Sequence, residues 1–186
     1  MIFKPIKFYK RAANFLAFYR QIKLIRCPHC QKSSYLILHG YLSGYDEKSN
    51  RLKTIRGHRV FCSNRDRRQG CGRTFSVLAA HILKNYTITT QSLWNFLNNI
   101  VLGMNKRAAF GLLQLPFSLS SIYRLYQRIY IRQQRIRTLL LKYSPPPINV
   151  PSNNPLIKTI LHIKSTFARD ANPLAVFQGH FQTSLL

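Results

Sequence analysis

The chain has 186 residues, 46% of them hydrophobic, which is enough for one domain or two small ones with an apolar core. Its charge is strongly unbalanced, because 29 lysines and arginines face four acidic residues and leave a formal net charge of +25. Such an excess predicts a polyanionic partner, with nucleic acid favoured over a merely solvated basic surface. A two-metal nuclease or transferase centre needs several converging carboxylates, so we predict that the protein is not an enzyme.

Residues 1–26 contain no acidic residue and repeat apolar side chains at helical spacing, which predicts a basic amphipathic N-terminal helix. The predicted apolar positions are Phe8, Ala12, Phe15, Leu16, Tyr19 and Ile22. We expect this helix to pack on the module that follows, with Lys7, Lys10, Arg11 or Arg20 facing phosphate. The alternatives are a membrane-surface helix and a mitochondrial presequence. No apolar run approaches the length of a membrane span, so we expect a cytoplasmic protein without membrane contact, nucleoid-associated if bacterial.

The four cysteines all lie in residues 27–78, in two pairs separated by a segment that can form strands. The pairs are Cys27 with Cys30 and Cys62 with Cys71. Zinc prefers four soft ligands in a tetrahedron, so we predict a zinc ribbon that holds one zinc ion between two cysteine-bearing turns. Eight residues separate the second pair, and we expect them to bulge out as a basic tip. This tip carries three candidate nucleic-acid contacts, Arg65, Arg67 and Arg68.

Other roles for the cysteines stay open at the level of sequence. Disulfides, a redox Cys-x-x-Cys motif and unpaired buried thiols are alternatives, although no thioredoxin-like strand-then-helix pattern surrounds Cys27. His29 or His58 lies close enough along the chain to replace a thiolate ligand. A zinc enzyme would need an open coordination position, which four thiolates would close.

Between the cysteine pairs the sequence predicts a β-hairpin. The first strand covers residues 34–42, the connection 45–50 holds Asp46 and Glu47, and the return strand covers 51–61. We expect the return strand to have a basic face and an apolar face. The basic face would hold Arg51, Lys53, Arg56, His58 and Arg59, and the apolar face Ile55, Val60 and Phe61. Phe75 is expected to pack beneath the second cysteine turn.

Residues 86–143 are predicted to form a helical domain of three helices. The first spans residues 87–102, buries Trp94 and ends at Gly103, and Pro116 stops the second. The predicted N-caps are Thr89 or Thr90, then Asn105, and then Ser118, Ser120 or Ser121.

The second and third helices match a helix-turn-helix more closely than a generic bundle. In that motif the early residues of the last helix reach base edges, while the preceding helix crosses the backbone. The candidate base readers are Ser121, Tyr123, Arg124, Gln127 and Arg128, with Arg135 further along the same helix, and the candidate phosphate contacts are Lys106 and Arg107. The alternative is a helical hairpin whose arginines are only solvated.

Residues 144–155 are predicted to be a proline-rich linker, because three consecutive prolines force an extended exit from the third helix. Residues 156–186 form a C-terminal tail outside the main basic surface. We expect helical structure over 156–167, and over 173–186 either a short docked helix or a partner-binding segment.

Three segments of the chain resemble a known family: Cys-Pro-His-Cys at residues 27–30, Gly-His-Arg-Val-Phe-Cys at 57–62 and Cys-Gly-Arg-Thr-Phe-Ser at 71–76. They are similar to the N-terminal zinc ribbon of insertion-sequence transposases and their accessory DNA-binding proteins. The helices from 89 to 137 look like the helix-turn-helix that follows that ribbon, so the resemblance covers about residues 20–140. It implies that the four cysteines bind metal and that the helices bind element ends or regulatory DNA.

The chain departs from this family in the wide spacing of its second cysteine pair and in lacking an acidic catalytic domain. We therefore predict an α+β protein: a small antiparallel zinc ribbon followed by a helix-turn-helix-like helical domain. Its predicted function is non-catalytic, zinc-dependent DNA binding, transposase-like or derived from a mobile element. The alternative is a structured-RNA or ribosome-associated zinc-ribbon protein. The sequence favours no particular oligomeric state.

Overall fold

The computed structural model describes residues 2–4, 12–49, 52–148, 150 and 152–186. Its architecture is α+β, as predicted. The elements are β1 (Ile2–Lys4), α1 (Ala12–Leu24), β2 (Leu36–Tyr45), β3 (Lys53–Cys62), β4 (Thr74–Ala79), α2 (Thr90–Val101), α3 (Lys106–Gly111), α4 (Leu119–Leu141), α5 (Pro155–Thr166) and α6 (Pro173–Phe181). The chain divides into two compact units. Unit 1 consists of Met1–Gly44 and Lys53–Ala80, and unit 2 of Tyr45–Leu52 and His81–Leu186.

Unit 1 is built on a four-stranded sheet with the order β1-β4-β3-β2. Strands β3 and β4 are antiparallel, with Val60 opposite Phe75, and β1 is parallel to β4, with Ile2 opposite Val77. The prediction of a helix over all of residues 1–26 is therefore wrong at residues 2–4, which form a strand. Three residues are too few to show a helical period, and the free edge of β4 offers backbone groups that need partners.

Helix α1 buries one side of its C-terminal half. Phe18 and Ile22, four residues apart, are buried, whereas Leu16 is 57% exposed. The predicted apolar stripe is thus right at Ile22 and wrong at Leu16, which lies nearly opposite Phe18 on the helix. Arg20 is exposed. Phe8, Lys7, Lys10 and Arg11 lie outside the described residues.

Strand β3 corrects the predicted division of its faces. Side chains alternate along a strand, so Arg56, His58 and Val60 share one face, and all three are buried. The other face holds Lys53, Ile55 and Arg59, which are exposed. Arg56 and His58 are therefore not part of an exposed basic wall, and Ile55 is not part of the core. Arg51, predicted on the same wall, lies outside the described residues.

The buried core of unit 1 includes two of the cysteines. Its members are Phe18, Ile22, Cys27, Leu36, Val60, Cys62, Phe75 and Val77. Phe75, on β4, packs in this cluster as predicted. Helix α1, strands β2 to β4 and both cysteine pairs are thus joined through one cluster.

Local chemistry sets the helix ends of unit 2. Thr89 caps α2 by accepting the N–H of Ser92, and Asn105 caps α3 by accepting the N–H of Ala108 at 2.8 Å. Gly103, with φ of +92°, ends the α2 turn, where a side chain would be strained. Ser118 is the N-cap residue of α4, although its hydroxyl bonds to those of Ser120 and Ser121 rather than to a backbone N–H.

In the described part of unit 2, helices α2 to α6 all contribute to one apolar core, so the C-terminal residues are part of the fold rather than a separate tail. Leu156 and Ile160 of α5 and Leu174 and Phe177 of α6 are buried. The α6 side chain of Gln178 donates to the carbonyl of Ile82 at 3.0 Å and accepts the N–H of Leu185 at 3.0 Å. Of the two predicted alternatives for residues 173–186, the short docked helix is the one observed.

The connection between β2 and β3 belongs to unit 2. Its Glu47 carboxylate accepts the backbone N–H of Thr89 at 2.7 Å and the Thr89 hydroxyl at 3.1 Å. A carboxylate at a helix N-terminus is favourable because the first N–H groups carry a partial positive charge. Within the described residues, every helix is too short or too polar to cross a membrane.

Candidate metal centre and basic surfaces

Two turns of unit 1 bring the four cysteine sulfurs together. The Sγ atoms of Cys27 and Cys71 lie 3.7 Å apart, as do those of Cys30 and Cys62, and all four lie within 4.8 Å of one another. A disulfide would need about 2 Å between sulfurs, so the thiols are free. Metal–sulfur bonds of about 2.3 Å in a tetrahedron place sulfurs about 3.8 Å apart. This cluster can therefore hold one tetrahedral metal ion.

The two cysteine turns have the same backbone pattern. In the first, the N–H of Gln31 donates to the Cys27 carbonyl at 2.8 Å, and the Cys27 N–H donates to the carbonyl of Lys32 at 2.9 Å. In the second, Gly72 donates to the Cys62 carbonyl, and Cys62 donates to the carbonyl of Arg73, each at 2.9 Å. The residue after the second cysteine is left-handed in both turns, with φ of +60° at Gln31 and +70° at Gly72.

The wide spacing of the second cysteine pair is thus explained by a regular cysteine turn that carries an insertion. The N–H of Gly70 donates to the carbonyl of Ser63 at 2.9 Å, which closes off the six residues 64–69 between them. Without these residues, hereafter the insertion, the turn would read Cys-Ser-Gly-Cys and match the two-residue spacing of Cys27 and Cys30. The predicted bulge is present, and its arginines Arg65, Arg67 and Arg68 are exposed.

The turns also supply N–H groups to sulfur. His29 donates its N–H to Cys27 Sγ and Cys71 donates its N–H to Cys62 Sγ, both at 3.4 Å. The backbone N–H of Lys32 lowers the pKa of Cys30 to about 7, whereas burial raises the pKa of Cys62 to about 12. Backbone donors favour the thiolate form that a metal requires, and a bound cation would supply the charge that burial at Cys62 otherwise penalises.

Neither predicted substitute ligand belongs to the cluster. The cluster consists of cysteines alone, while the ring of His29 stands edge-on to that of Phe75, with 6.5 Å between centroids. His58 is buried between the rings of Phe18 and Tyr41, whose centroids are 4.6 Å and 5.0 Å from its own. Burial lowers the pKa of His58, so it is neutral near pH 7.

Helix α4 in unit 2 carries a stripe of exposed arginines. Arg124, Arg128, Arg132 and Arg135 fall within an arc of about 80° on the helix and are all exposed. We call this set the arginine stripe. Arg132 is absent from the predicted site, although its spacing of four residues from Arg128 would have identified it. Ser121 lies on the same arc, and it lines a groove of about 330 Å³ with Arg124, Arg128 and the turn 85–88.

The other predicted contacts of unit 2 lie elsewhere on its surface. Tyr123 and Gln127 are exposed but outside the arc of the arginine stripe, so the predicted base readers do not share one face. Arg107 is exposed at the start of α3. The Lys106 ammonium lies 4.2 Å from the ring centre of Tyr126 and 5.3 Å from that of Tyr123, so it already has aromatic partners within the unit.

No known protein family, curated protein or solved structure matches this chain. Its function must therefore be inferred from the geometry of the four sulfurs and the placement of the charged side chains.

Proposed function

We propose that the protein is a zinc-dependent, non-catalytic DNA-binding protein. The observation that supports it best is the cluster of four cysteine sulfurs on a chain with a net charge of +25. Four thiolates close the coordination sphere of zinc, which suits a structural ion rather than a catalytic one. The metal would hold unit 1 folded, and the basic side chains would bind phosphate.

Sulfur-only tetrahedral sites take zinc or iron. We propose zinc, because four cysteines on two turns are a common ligand set of structural zinc sites. Cys27, Cys30, Cys62 and Cys71 would each supply one thiolate. The bound ion would contribute folding free energy and no chemistry of its own. Elemental analysis identifies the bound metal directly. Visible absorption is a second check, because an iron–sulfur centre is coloured and a zinc centre is not.

The arginine stripe supports a role for α4 at the DNA. Arginine side chains form bidentate hydrogen bonds with phosphates, and the same geometry allows them to bind the edge of guanine in the major groove. We propose that α2, α3 and α4 act as a helix-turn-helix. Helix α4 would be the recognition helix, and Arg107 would contact a phosphate of the DNA backbone. The short α3, its Asn105 cap and the exposed start of α4 are consistent with this arrangement.

We propose a binding role without catalysis because two of the four acidic side chains hold backbone groups in place and the other two lie at separate exposed positions. Asp46 accepts the N–H of Lys48 in its own turn, and Glu47 holds Thr89. Asp66 lies in the insertion and Asp170 follows α5, and both are exposed. The likeness of the cysteine and helix segments to the DNA-binding part of insertion-sequence transposases favours a function in binding or regulating a mobile element.

One purified sample tests the proposal. We expect one zinc per chain and duplex DNA binding that weakens steeply with salt, because neutralised phosphates release counterions. Arg124→Ala and Arg128→Ala should weaken binding by about tenfold or more each, and Lys164→Ala on α5 is the control for a lost positive charge. Equal effects of all three substitutions would remove the special role of α4. A preference for structured RNA would favour the ribosome-associated alternative, and absence of metal would refute the zinc site.

A further inference from the structure

The insertion in the second cysteine turn is closed at its base independently of its own six residues. Ser63 donates its N–H to the carbonyl of Tyr35 at 2.9 Å, and Gly70 donates to the Ser63 carbonyl at 2.9 Å. These two bonds fix both ends of the insertion to the frame that carries Cys62 and Cys71. The metal turn is therefore complete without residues 64–69.

The closure depends on a close approach that only glycine allows. A Cβ atom added at Gly70 would collide with the backbone of Ser63 and of Cys62. The chain can thus enter and leave the insertion at adjacent points, as strands do at the base of a hairpin.

The tip of the insertion has a defined turn that presents arginine. Arg68 donates its N–H to the Arg65 carbonyl at 3.0 Å, and the two residues between them, Asp66 and Arg67, have φ of +52° and +64°. Two successive left-handed residues are typical of type I′ turns, which prefer asparagine, aspartate or glycine. Arginine at the second position is unfavourable for the fold, and such positions often serve binding.

All six residues of the insertion are exposed, and its three arginines outnumber its single acid. At its base, the guanidinium carbon of Arg65 lies 5.5 Å from the ring centre of Phe61 on β3, which supports that arginine against the sheet. Exposed arginines on a closed turn suit a partner with dense, regularly spaced negative charge, such as a nucleic-acid backbone.

We propose that residues 64–69 are a separable phosphate-binding finger, which the metal turn carries but does not need. The finger contacts the nucleic-acid backbone through Arg65, Arg67 and Arg68, and its contribution is independent of base sequence. This inference rests on the proposed nucleic-acid binding, and it adds that unit 1 contributes contacts of its own beside those of α4.

The test compares three variants of the full chain with the wild type. The first deletes residues 64–69 and joins Ser63 to Gly70; the second keeps the loop but carries Arg65→Gln, Arg67→Gln and Arg68→Gln. The third is a charge-matched control with Lys158→Gln, Lys164→Gln and Arg169→Gln, three exposed positions of unit 2. Zinc content, the cobalt–thiolate spectrum and the affinity for a random-sequence DNA duplex over a salt series are measured for each.

We expect the deletion and the loop substitution to keep one zinc and an unchanged cobalt spectrum. Both should lower duplex affinity about 10- to 100-fold at low salt and reduce the slope of log affinity against log salt by about 2 to 3, one for each lost phosphate contact. The control should change the slope by much less.

Loss of zinc in the deletion variant would refute the claim that the metal turn does not need residues 64–69. Wild-type affinity and slope in the loop substitution, or an equal loss in the charge-matched control, would overturn the finger as a contact. Failure of the wild-type chain to bind duplex DNA or RNA at low salt would instead overturn the proposed function itself, and the phosphate contacts with it. Tight binding to an acidic protein with none to nucleic acid would have the same meaning.

Discussion

The two units of the chain are stabilised in different ways. In unit 2, every helix contributes buried apolar side chains to one cluster, for example Phe96 of α2, Ile129 of α4, Ile160 of α5 and Phe177 of α6. Among the residues of unit 1 whose side chains the structure describes, the buried cluster is smaller, and it includes Cys27 and Cys62. Small domains that bury little apolar surface commonly depend on metal ions or disulfides. The difference predicts that unit 1 folds only with a metal bound to its four cysteines and that unit 2 folds without one.

The largest expected effect comes from removing one of the four predicted metal ligands. Cys62 is fully buried, so Cys62→Ser should release the ion and unfold unit 1, because folding and metal binding are coupled in such modules. Trp94 is the only tryptophan of the chain and lies in the unit 2 core, so its fluorescence reports on unit 2 alone. We expect the cobalt–thiolate absorption to disappear while the urea midpoint of Trp94 fluorescence stays unchanged.

Ser33→Ala, at an exposed position near the first cysteine turn, is the control and should alter neither signal. A chelator should reproduce the effect of Cys62→Ser on the wild-type chain. If Trp94 fluorescence collapsed together with the cobalt signal, the two units would depend on the same metal and the contrast between them would be lost.

The converse change is in the core of unit 2. Phe96 is fully buried and stands edge-on to Tyr126, with 6.5 Å between ring centroids. Phe96→Ala should lower the free energy of unfolding of unit 2 by about 3–5 kcal/mol, because it removes apolar contacts and leaves a cavity. Urea unfolding followed by Trp94 fluorescence measures this loss, and the cobalt spectrum should not change.

Leu141→Ala is the matched control, since Leu141 on α4 is 59% exposed and its truncation should cost less than about 0.5 kcal/mol. A similar loss in both variants would mean that Phe96 is not packed as described. Loss of the cobalt signal in Phe96→Ala would show that unit 1 relies on unit 2.

Features that depend on neighbouring residues can be predicted from the sequence. The caps Thr89 and Asn105 and the terminating Gly103 are predictable because side-chain oxygens and left-handed glycines act over three or four residues. The cluster of four cysteines is predictable because their spacing and chemistry are specific. The helix-turn-helix, the zinc ion and the DNA partner stay predictions.

Features set by distant residues could not be predicted. Strand β1 exists because of the edge of β4, and Glu47 bonds to a residue 42 positions away. The predicted division of β3, by contrast, is an avoidable error: it assigns Arg56 and His58 by polarity, whereas the alternation of side chains along a strand places both with Val60 in the interior. The regular turn hidden in the wide Cys62–Cys71 spacing appears only when the bond between Gly70 and Ser63 is seen.

A smaller effect tests the hairpin connection that belongs to unit 2. The Glu47 carboxylate accepts two hydrogen bonds from Thr89 at the start of α2, so Glu47→Gln should lower the stability of unit 2 by about 1 kcal/mol. Asp46→Asn is the control, because Asp46 bonds to the N–H of Lys48 in its own exposed turn. Trp94 fluorescence in urea should separate the two variants. Equal midpoints would mean that the contact of Glu47 with Thr89 does not stabilise α2.

The smallest effect concerns the pH dependence of unit 1. Burial between Phe18 and Tyr41 lowers the pKa of His58 below its ordinary value of 6.5, and the buried cation Arg56 lies on the same face of β3. Between the folded and the unfolded pKa, His58 is therefore protonated in the unfolded chain and neutral in the folded chain. The resulting stability is complete above about pH 6.5 and is lost as the pH falls through the lower, folded pKa.

His58→Phe removes this proton while keeping a ring in the same space, so its unit 1 should lose less stability than the wild type between about pH 7 and about pH 5. The predicted metal ligands also bind protons over this range, but that contribution is common to both chains and cancels in the difference at a fixed excess of cobalt. Each unit of pKa depression is worth about 1.4 kcal/mol, which sets the scale of the difference. Parallel pH curves for the two chains, followed by cobalt–thiolate absorption, would mean that His58 binds its proton equally well in the folded and the unfolded chain, so that its burial does not contribute to the pH dependence of unit 1.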